Sequence, residues 1–236
     1  DSLEGWTVQH LRHPEAEQAV AGGAADAADA VLFYDMPGYS FADGAVAARP
    51  PSPGFVAAIE RRLAAGRGLV LMHHALAGWA EWPRWAEIAG GRFLYRPGNV
   101  RGRPCLDSGY RHDVDYEAET VAVHPVTAGL PARFAMRDEL YLAQVFEDDV
   151  EPLVRARHDF VAANFYSAAH AVAGRMNENA GWPHPRGSDL VAWARREGSA
   201  RIVYLQPGDG PDAFRNPPVR RLLANALDWT SQGDTE

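Results

Sequence analysis

Side chains able to do acid–base or metal chemistry fall in five segments of the 236-residue chain. These are HH at 73–74, SGYRHD at 108–113, RDELY at 137–141, RHDF at 157–160 and QPGDG at 206–210. Imidazole titrates near neutral pH, and carboxylates and phenols serve as its usual acid or base partners. The candidate catalytic residues are therefore His73, His74, Tyr110, His112, Asp138 and Glu139.

The same inventory supports two kinds of site, and spacing alone does not choose between them. One is a metal-free acid–base site. The other is a site of two histidines and a carboxylate that binds a divalent metal such as zinc, manganese or iron. The candidate ligands are His73, His112, Glu139 and Asp209. Tyr141, His158 and Asp209 are also candidates for binding a substrate.

The histidine pair ends the apolar run LVLMHH at 69–74, which is typical of a strand buried on both faces. Ligands of open α/β sheets bind at the carboxyl ends of such strands. Neighbouring side chains on a strand point to opposite faces, so His73 and His74 cannot both aim at one ligand unless the chain turns between them. We therefore expect one histidine to reach the ligand and the other to hold the loop.

The alternation of apolar patterns predicts a doubly wound, mostly parallel α/β sheet with helices on both faces. Predicted strands are 6–12, 31–36, 69–74 and 92–95, with strand-like pieces at 119–123 and 139–146. Predicted helices are 14–23, 55–68, 79–91 and 216–230, and 189–196 with 201–206 resemble a hairpin. Residues 96–188 form an elaborated middle, and one domain over 1–236 is expected.

Composition excludes several function classes. A net charge of −8 argues against a nucleic-acid partner. All 23 basic residues are arginine, so Schiff-base lysine and P-loop chemistry are excluded. Cys105 is the single cysteine, which excludes an intrachain disulfide and a thiolate metal cluster. No membrane-spanning run or signal-peptide pattern is present, and a cytoplasmic location is expected.

Several segments together resemble the trehalose-utilisation, or ThuA-like, family. They are the strand-to-histidine segment 68–98, HPVTAGLP at 124–131, DELY at 138–141 and residues 201–229. The resemblance implies a flavodoxin-like sheet related to class I glutamine amidotransferases. It also implies a role in carbohydrate metabolism, often in pathways that oxidise glycosides at C3 to keto-sugars. The amidotransferase nucleophile is a cysteine at the turn after this strand. Here the turn carries His73, His74 and Ala75, so glutamine hydrolysis through a thioester is not available.

The resemblance favours an enzyme that acts on a sugar or keto-sugar by hydrolysis or β-elimination. In that scheme His73 or His74 abstracts a proton, and Glu139, Asp138 or Tyr110 protonates the leaving oxygen or holds the enolate. A metal is the alternative enolate stabiliser. Trp79 and Trp82 would offer aromatic faces to the sugar.

Two other functions stay open. One is a non-catalytic carbohydrate-binding or regulatory protein, and the other is a metal-dependent hydrolase unrelated to sugars. The Trp-rich helix at 79–89 is a candidate homodimer surface, although packing against the sheet explains it equally well.

Overall fold

The computed structural model describes residues 5–232, which form a mixed α/β fold around an eight-stranded sheet. The strands are β1 (Leu32–Phe33), β2 (Tyr39–Ala42), β3 (Ala45–Ala48), β4 (Leu69–Met72), β5 (Gly91–Arg92), β6 (Gly98–Val100), β7 (Arg103–Cys105), β8 (Gly109–Thr120), β9 (Arg133–Leu142), β10 (Gln144–Val145), β11 (Glu151–Arg157), β12 (Tyr166–Ser167), β13 (Leu190–Glu197) and β14 (Ala200–Leu205). The helices are α1 (Glu15–Ala21), α2 (Ala24–Ala27), α3 (Pro53–Ala64), α4 (Pro83–Ala89), α5 (Ala168–Val172), α6 (Pro211–Arg215) and α7 (Pro217–Ser231).

The main sheet is parallel at one end and antiparallel at the other. Its order is β1-β4-β14-β13-β11-β8-β12, and β9 also pairs with β8. The pairs β1–β4 and β4–β14 are parallel. The other pairings of this sheet in the described chain are antiparallel. The expectation of a mostly parallel sheet is therefore wrong, because the middle segment adds antiparallel strands that the apolar pattern did not reveal.

Helices cover both faces of the parallel part, as expected. Leu69 and Leu71 of β4 pack in one apolar cluster with Phe55 and Ile59 of α3. Val70 and Met72 point the other way into a second cluster that contains Leu222 and other residues of α7. Because side chains alternate across a strand, this four-residue strand serves two cores at once.

Local chemistry explains where α3 begins. The Ser52 hydroxyl accepts a hydrogen bond from the Phe55 N–H at 3.3 Å, and Pro53 occupies the first turn. Both features are typical of a helix N-terminus. Phe55, Ile59 and Leu63 then form the buried stripe that the 3.6-residue period predicts.

Several predicted elements are confirmed with shifted ends. The hairpin of 189–196 and 201–206 is β13–β14, and the predicted helices 14–23, 55–68 and 216–230 correspond to α1, α3 and α7. The strands predicted at 31–36 and 69–74 are the shorter β1 and β4, and the helix 79–91 is confined to α4. The 139–146 piece is divided between β9 and β10, and 119–123 is only the end of β8.

Two strand predictions fail. Residues 6–12 form no strand, since they have no pairing partner in the described chain and most are exposed, with Val8 at 67%. Of residues 92–95, only Arg92 belongs to a strand, the two-residue β5. Alternation of apolar and polar residues is therefore not sufficient to form a strand when no sheet edge is available for pairing.

Within residues 5–232, every helix is too short or too polar to cross a membrane.

Candidate metal centre

The turn after β4 brings both histidines to one place. His73 has a positive φ of 50°, and a 3₁₀ helix spans His73–Leu76. The chain therefore leaves the extended path between the two residues, and their rings lie 4.3 Å apart between centroids. The expectation that only one histidine reaches the site is wrong, because it assumed that the strand continued through His74. A non-glycine residue at positive φ is strained, and such strain clusters at functional sites.

The neighbouring parallel strand β14 delivers Asp209 to the same edge. Gly208 follows β14 with a φ of 149°, and a Cβ there would lie 2.9 Å from the Met72 methyl carbon. The φ of 149° is a backbone conformation that residues with a side chain rarely adopt, so the position favours glycine. The carboxylate of Asp209 consequently lies 3.6 Å from His73 Nε2.

A β-bulge aims His112 at the site. Arg111 pairs with Leu140 and Val114 pairs with Asp138, so His112 and Asp113 together oppose Glu139. Asp113 has a φ of 55°. Bulges of this kind redirect a side chain beside many active sites. The His112 Nδ1 lies 3.2 Å from Glu139 Oε1 and 3.6 Å from Asp209 Oδ2.

The adjacent carboxylates Asp138 and Glu139 point to opposite faces of β9 and do different things. Glu139 faces the histidines. Asp138 accepts hydrogen bonds from the backbone N–H groups of Gly208 at 2.7 Å and Asp209 at 3.2 Å. Burial raises the pKa of Asp138 against the lowering effect of the Gly208 N–H and of His73. Asp138 thus holds the loop that carries Asp209.

Four side chains form a cluster with metal-ligand composition. Ligand atoms of His73, His74, Glu139 and Asp209 all lie within 4.8 Å of one another. The sequence-predicted set had His112 in place of His74. His112 lies beside the same carboxylates but is the most exposed of the five, at 48% of its side chain.

The orientation of His73 is the decisive detail of the cluster. Its Nδ1–H donates to the carbonyl oxygen of Gln206 at 2.7 Å, which leaves Nε2 facing the cluster. There Nε2 lies 3.2 Å from Glu139 Oε2. A lone pair at Nε2 would be repelled by these carboxylates, which therefore favour a proton or a metal ion there, and the Tyr141 hydroxyl is the other group within hydrogen-bond distance of Nε2, at 2.9 Å.

The electrostatics of the metal-free site agree with that geometry. Burial alone would lower the pKa of His73, but hydrogen bonds to Asp209 and Glu139 raise it to about 9. Burial and the neighbouring His73 lower the pKa of His74 to about 4, which keeps His74 neutral. The hydrogen bond with His73 lowers the pKa of Asp209. At neutral pH the metal-free cluster therefore holds a protonated His73, a neutral His74 and carboxylates, and a metal ion at His73 Nε2 would have to replace its proton.

A cavity of about 520 Å³ opens on this cluster. This volume is within the usual range for sites that enclose a small ligand. The cavity is lined by Met36, Phe41, Ala42, Asp43, Gly44, Ala45, His74, Phe93, Tyr95, Tyr110, His112, Glu139, Tyr141, Ala168, Ala171, Val172 and Met176.

The tyrosines predicted for the site both line the cavity. The Tyr141 hydroxyl lies 2.9 Å from His73 Nε2, and burial raises the pKa of Tyr141 well above its usual value. The Tyr110 hydroxyl accepts a hydrogen bond from the Asn177 N–H at 3.1 Å.

Three predicted substrate-binding residues lie elsewhere. Trp79 is fully buried and packs on Phe55 at 5.1 Å, so it has no face to offer a sugar. Trp82 packs on Phe55 and Trp85 outside the cavity. His158 packs between Phe160 and Phe165 in the other core cluster. These rings contribute to packing in the core. For Trp79 and Trp82, this packing also accounts for the apolar face of the segment 79–89, the candidate homodimer surface.

The sequence interpretation missed the hairpin β2–β3, which supplies five residues of the cavity wall. Its Asp43-Gly44 turn is a recognised hairpin signal between alternating residues and was available in the sequence. It also missed Gln206, whose backbone carbonyl oxygen orients His73. No side-chain pattern signals a backbone acceptor.

Residues 47–230 match the sequence model of the ThuA family, described as trehalose utilisation. The chain belongs to the ThuA family. Comparison with curated proteins gives no significant match.

Solved structures show that this fold recurs in other ThuA-like proteins. A ThuA-like protein from Parabacteroides merdae has a TM-score of 0.58 at 14% identity, over 88% of this chain and 91% of that one. One from Bacteroides uniformis has a TM-score of 0.56 at 19% identity, over 86% and 69%. A cytoplasmic protein of Salmonella typhimurium has a TM-score of 0.58 at 11% identity, over 98% and 85%. At these identities the likeness concerns the fold alone.

Proposed function

We propose that this ThuA protein is a cytoplasmic, metal-dependent enzyme of carbohydrate metabolism that acts on a keto-sugar derivative. The observation that carries the proposal is His73, whose Nε2 is held toward two carboxylates by the hydrogen bond from its Nδ1–H to the Gln206 carbonyl oxygen. Membership of a family described as trehalose utilisation supports the carbohydrate role.

The donor set fits a divalent metal of intermediate softness. His73, His74, Glu139 and Asp209 offer two imidazole nitrogens and two carboxylate oxygens. This mixture suits zinc, manganese or iron better than calcium or magnesium, which prefer oxygen alone. Bound there, such an ion would supply Lewis-acid stabilisation of a developing enolate oxygen.

His112 is the group best placed to move a proton. It lines the cavity, it is partly exposed, and its Nδ1 is held by Glu139 at 3.2 Å. His73 itself is fully buried, which argues against the earlier idea that it abstracts the proton from a substrate. We assign His73 to ligand binding and His112 to acid–base catalysis.

The proposed reaction is β-elimination beside a C3 ketone. The ketone acidifies the C2–H bond, whose proton passes to the His112 imidazole while its electron pair forms the C1–C2 double bond. The C1–O bond breaks, and the leaving oxygen takes up a proton, so that an alcohol and an unsaturated keto-sugar result. General acid–base catalysis of this type contributes roughly 10²–10⁴-fold.

The test is metal content and turnover of protein purified without a metal-affinity column. We expect near-stoichiometric zinc, manganese or iron in the wild type, and about a tenfold or greater loss of metal in His73→Ala and Glu139→Gln. His158→Ala removes a histidine outside the cavity and should keep its metal. A chelator should abolish turnover of a 3-keto-glycoside, and the metal should restore it.

Other outcomes would identify the alternatives. Wild-type protein without metal that still turns over keto-glycosides would contradict metal dependence and favour the metal-free acid–base site. Protein that binds sugars without any turnover would favour the non-catalytic binding function. The relation to class I glutamine amidotransferases and a homodimer remain predictions.

A further inference from the structure

The cavity has two chemically different regions. His74, His112 and Glu139 form the polar region beside the cluster. The rest of the lining forms a mostly apolar wall that includes Phe41, Phe93, Val172 and Met176, and its one charged residue is Asp43 at the hairpin turn. A ligand that fills the cavity must therefore place a polar part at the cluster and an apolar part against this wall.

The phenols add little polarity to the apolar wall, because each already has a partner and the Tyr110 O–H, whose oxygen is the acceptor in its hydrogen bond, is left to donate to a ligand. Tyr95 donates to the Met36 sulfur at 2.8 Å. Tyr110 accepts from the Asn177 N–H, and Tyr141 contacts His73 Nε2. A second sugar ring against this wall would lose hydrogen bonds to water and find few replacements.

The hairpin β2–β3 brings aromatic surface to the wall. Phe41 contacts Tyr95 edge-on at 5.1 Å between centroids, and Tyr39 contacts the same ring at 5.1 Å. Phe41 is 46% exposed and Met176 is 59% exposed, although both are large apolar side chains. Exposed apolar surface that lines a cavity is typical of a ligand contact.

We propose that the cavity takes glycosides whose leaving group is aromatic, with the sugar at the cluster and the arene between Phe41 and Met176. The proposal rests on the proposed function for the identity of the reacting sugar. It goes further by naming the substrate class as an aryl glycoside, and Phe41 and Met176 as residues that determine specificity. Burial of one aromatic ring predicts roughly tenfold tighter binding than a methyl group gives.

The experiment measures equilibrium binding separately from turnover. Phenyl glucoside, methyl glucoside and trehalose, none of which has the activating ketone, are titrated into the purified full chain by calorimetry. We expect phenyl glucoside to bind about tenfold tighter than the other two. Phe41→Ser and Met176→Ser should each remove most of that difference, whereas Val123→Ser, at a fully exposed position, should keep it.

Equal binding of the three ligands, or tighter binding of trehalose, would overturn the aryl assignment. So would an aryl preference that both cavity variants retain. Turnover of the matched 3-keto compounds then separates the two proposals. Turnover without aryl preference leaves the proposed function intact, while aryl preference without turnover or metal contradicts the proposed function alone.

Discussion

At the scale of single residues, the site depends on where adjacent side chains point. Glu139 faces the histidines, and the neighbouring Asp138 faces the backbone of Gly208 and Asp209. Sequence reasoning treated the two carboxylates as interchangeable candidates. Strand alternation makes Glu139 a proposed ligand and Asp138 a support for the loop that carries Asp209, the other carboxylate of the proposed metal site.

Asp138→Asn tests this division. The asparagine amide would turn its NH₂ toward the N–H of Gly208 or Asp209, so that one hydrogen bond is lost and two donors face each other. We expect metal affinity to fall about tenfold or more, since the loss acts on the orientation of Asp209. Competition with a chromogenic chelator measures the affinity.

Asp148→Asn makes the same chemical change at an exposed position and should leave the affinity unchanged. If Asp138→Asn binds metal as tightly as the wild type, the loop does not depend on Asp138.

At the scale of elements, the connection between α2 and β1 is held against α3 by one buried arginine. The Arg62 guanidinium donates to the carbonyl oxygens of Gly68, Ala25, Ala28 and Asp29. Burial lowers the pKa of Arg62 to about 10, so the group is still charged at neutral pH. One side chain thereby satisfies the carbonyl oxygen of Ala25 in α2 and those of three residues outside helices and strands.

Arg62→Met should destabilise the fold by roughly 3 kcal/mol, because buried carbonyl groups lose their donors. Urea unfolding measures this change. The matched control is Arg61→Met on the same helix, where an exposed pair with Asp26 is lost and less than about 1 kcal/mol is expected. Equal costs for the two variants would mean that the four carbonyl bonds of Arg62 contribute little.

At the scale of the whole molecule, β4 begins where the sheet and the last helix meet. A Cβ at Gly68 would collide with the Arg201 carbonyl oxygen of β14 and lie 2.7 Å from the Thr230 carbonyl oxygen of α7. Neither backbone can move without shifting the sheet or the helix. This junction fixes the position of the strand that ends at His73.

Gly68→Ala should therefore cost roughly 2–3 kcal/mol, as overpacking in a rigid core does. Thermal or urea unfolding of the purified chain is the measurement. Gly210→Ala serves as the control, since a Cβ there has open space around it, and its stability should change by less than about 0.5 kcal/mol. A Gly68→Ala variant as stable as the control would show that α7 is free to shift.

The sequence by itself determined the elements that local patterns specify. The continuous apolar run predicted β4, the 3.6-residue periodicity predicted α3 and α7, and alternating runs around Gly198 predicted the β13–β14 hairpin. The candidate list already held the four clustered residues, because each is a histidine or a carboxylate at the predicted end of a strand or beside one. Each of these inferences needed only residue types and short-range spacing.

Only the tertiary structure decided which candidates meet. The bulge that aims His112, the positive φ of His73 and the approach of Gly208 to Met72 depend on contacts between segments distant in the chain. The same contacts buried Trp79 and moved His158 away from the cavity. Local propensity cannot encode such choices, because pairing and packing partners are selected by the energy of the whole fold.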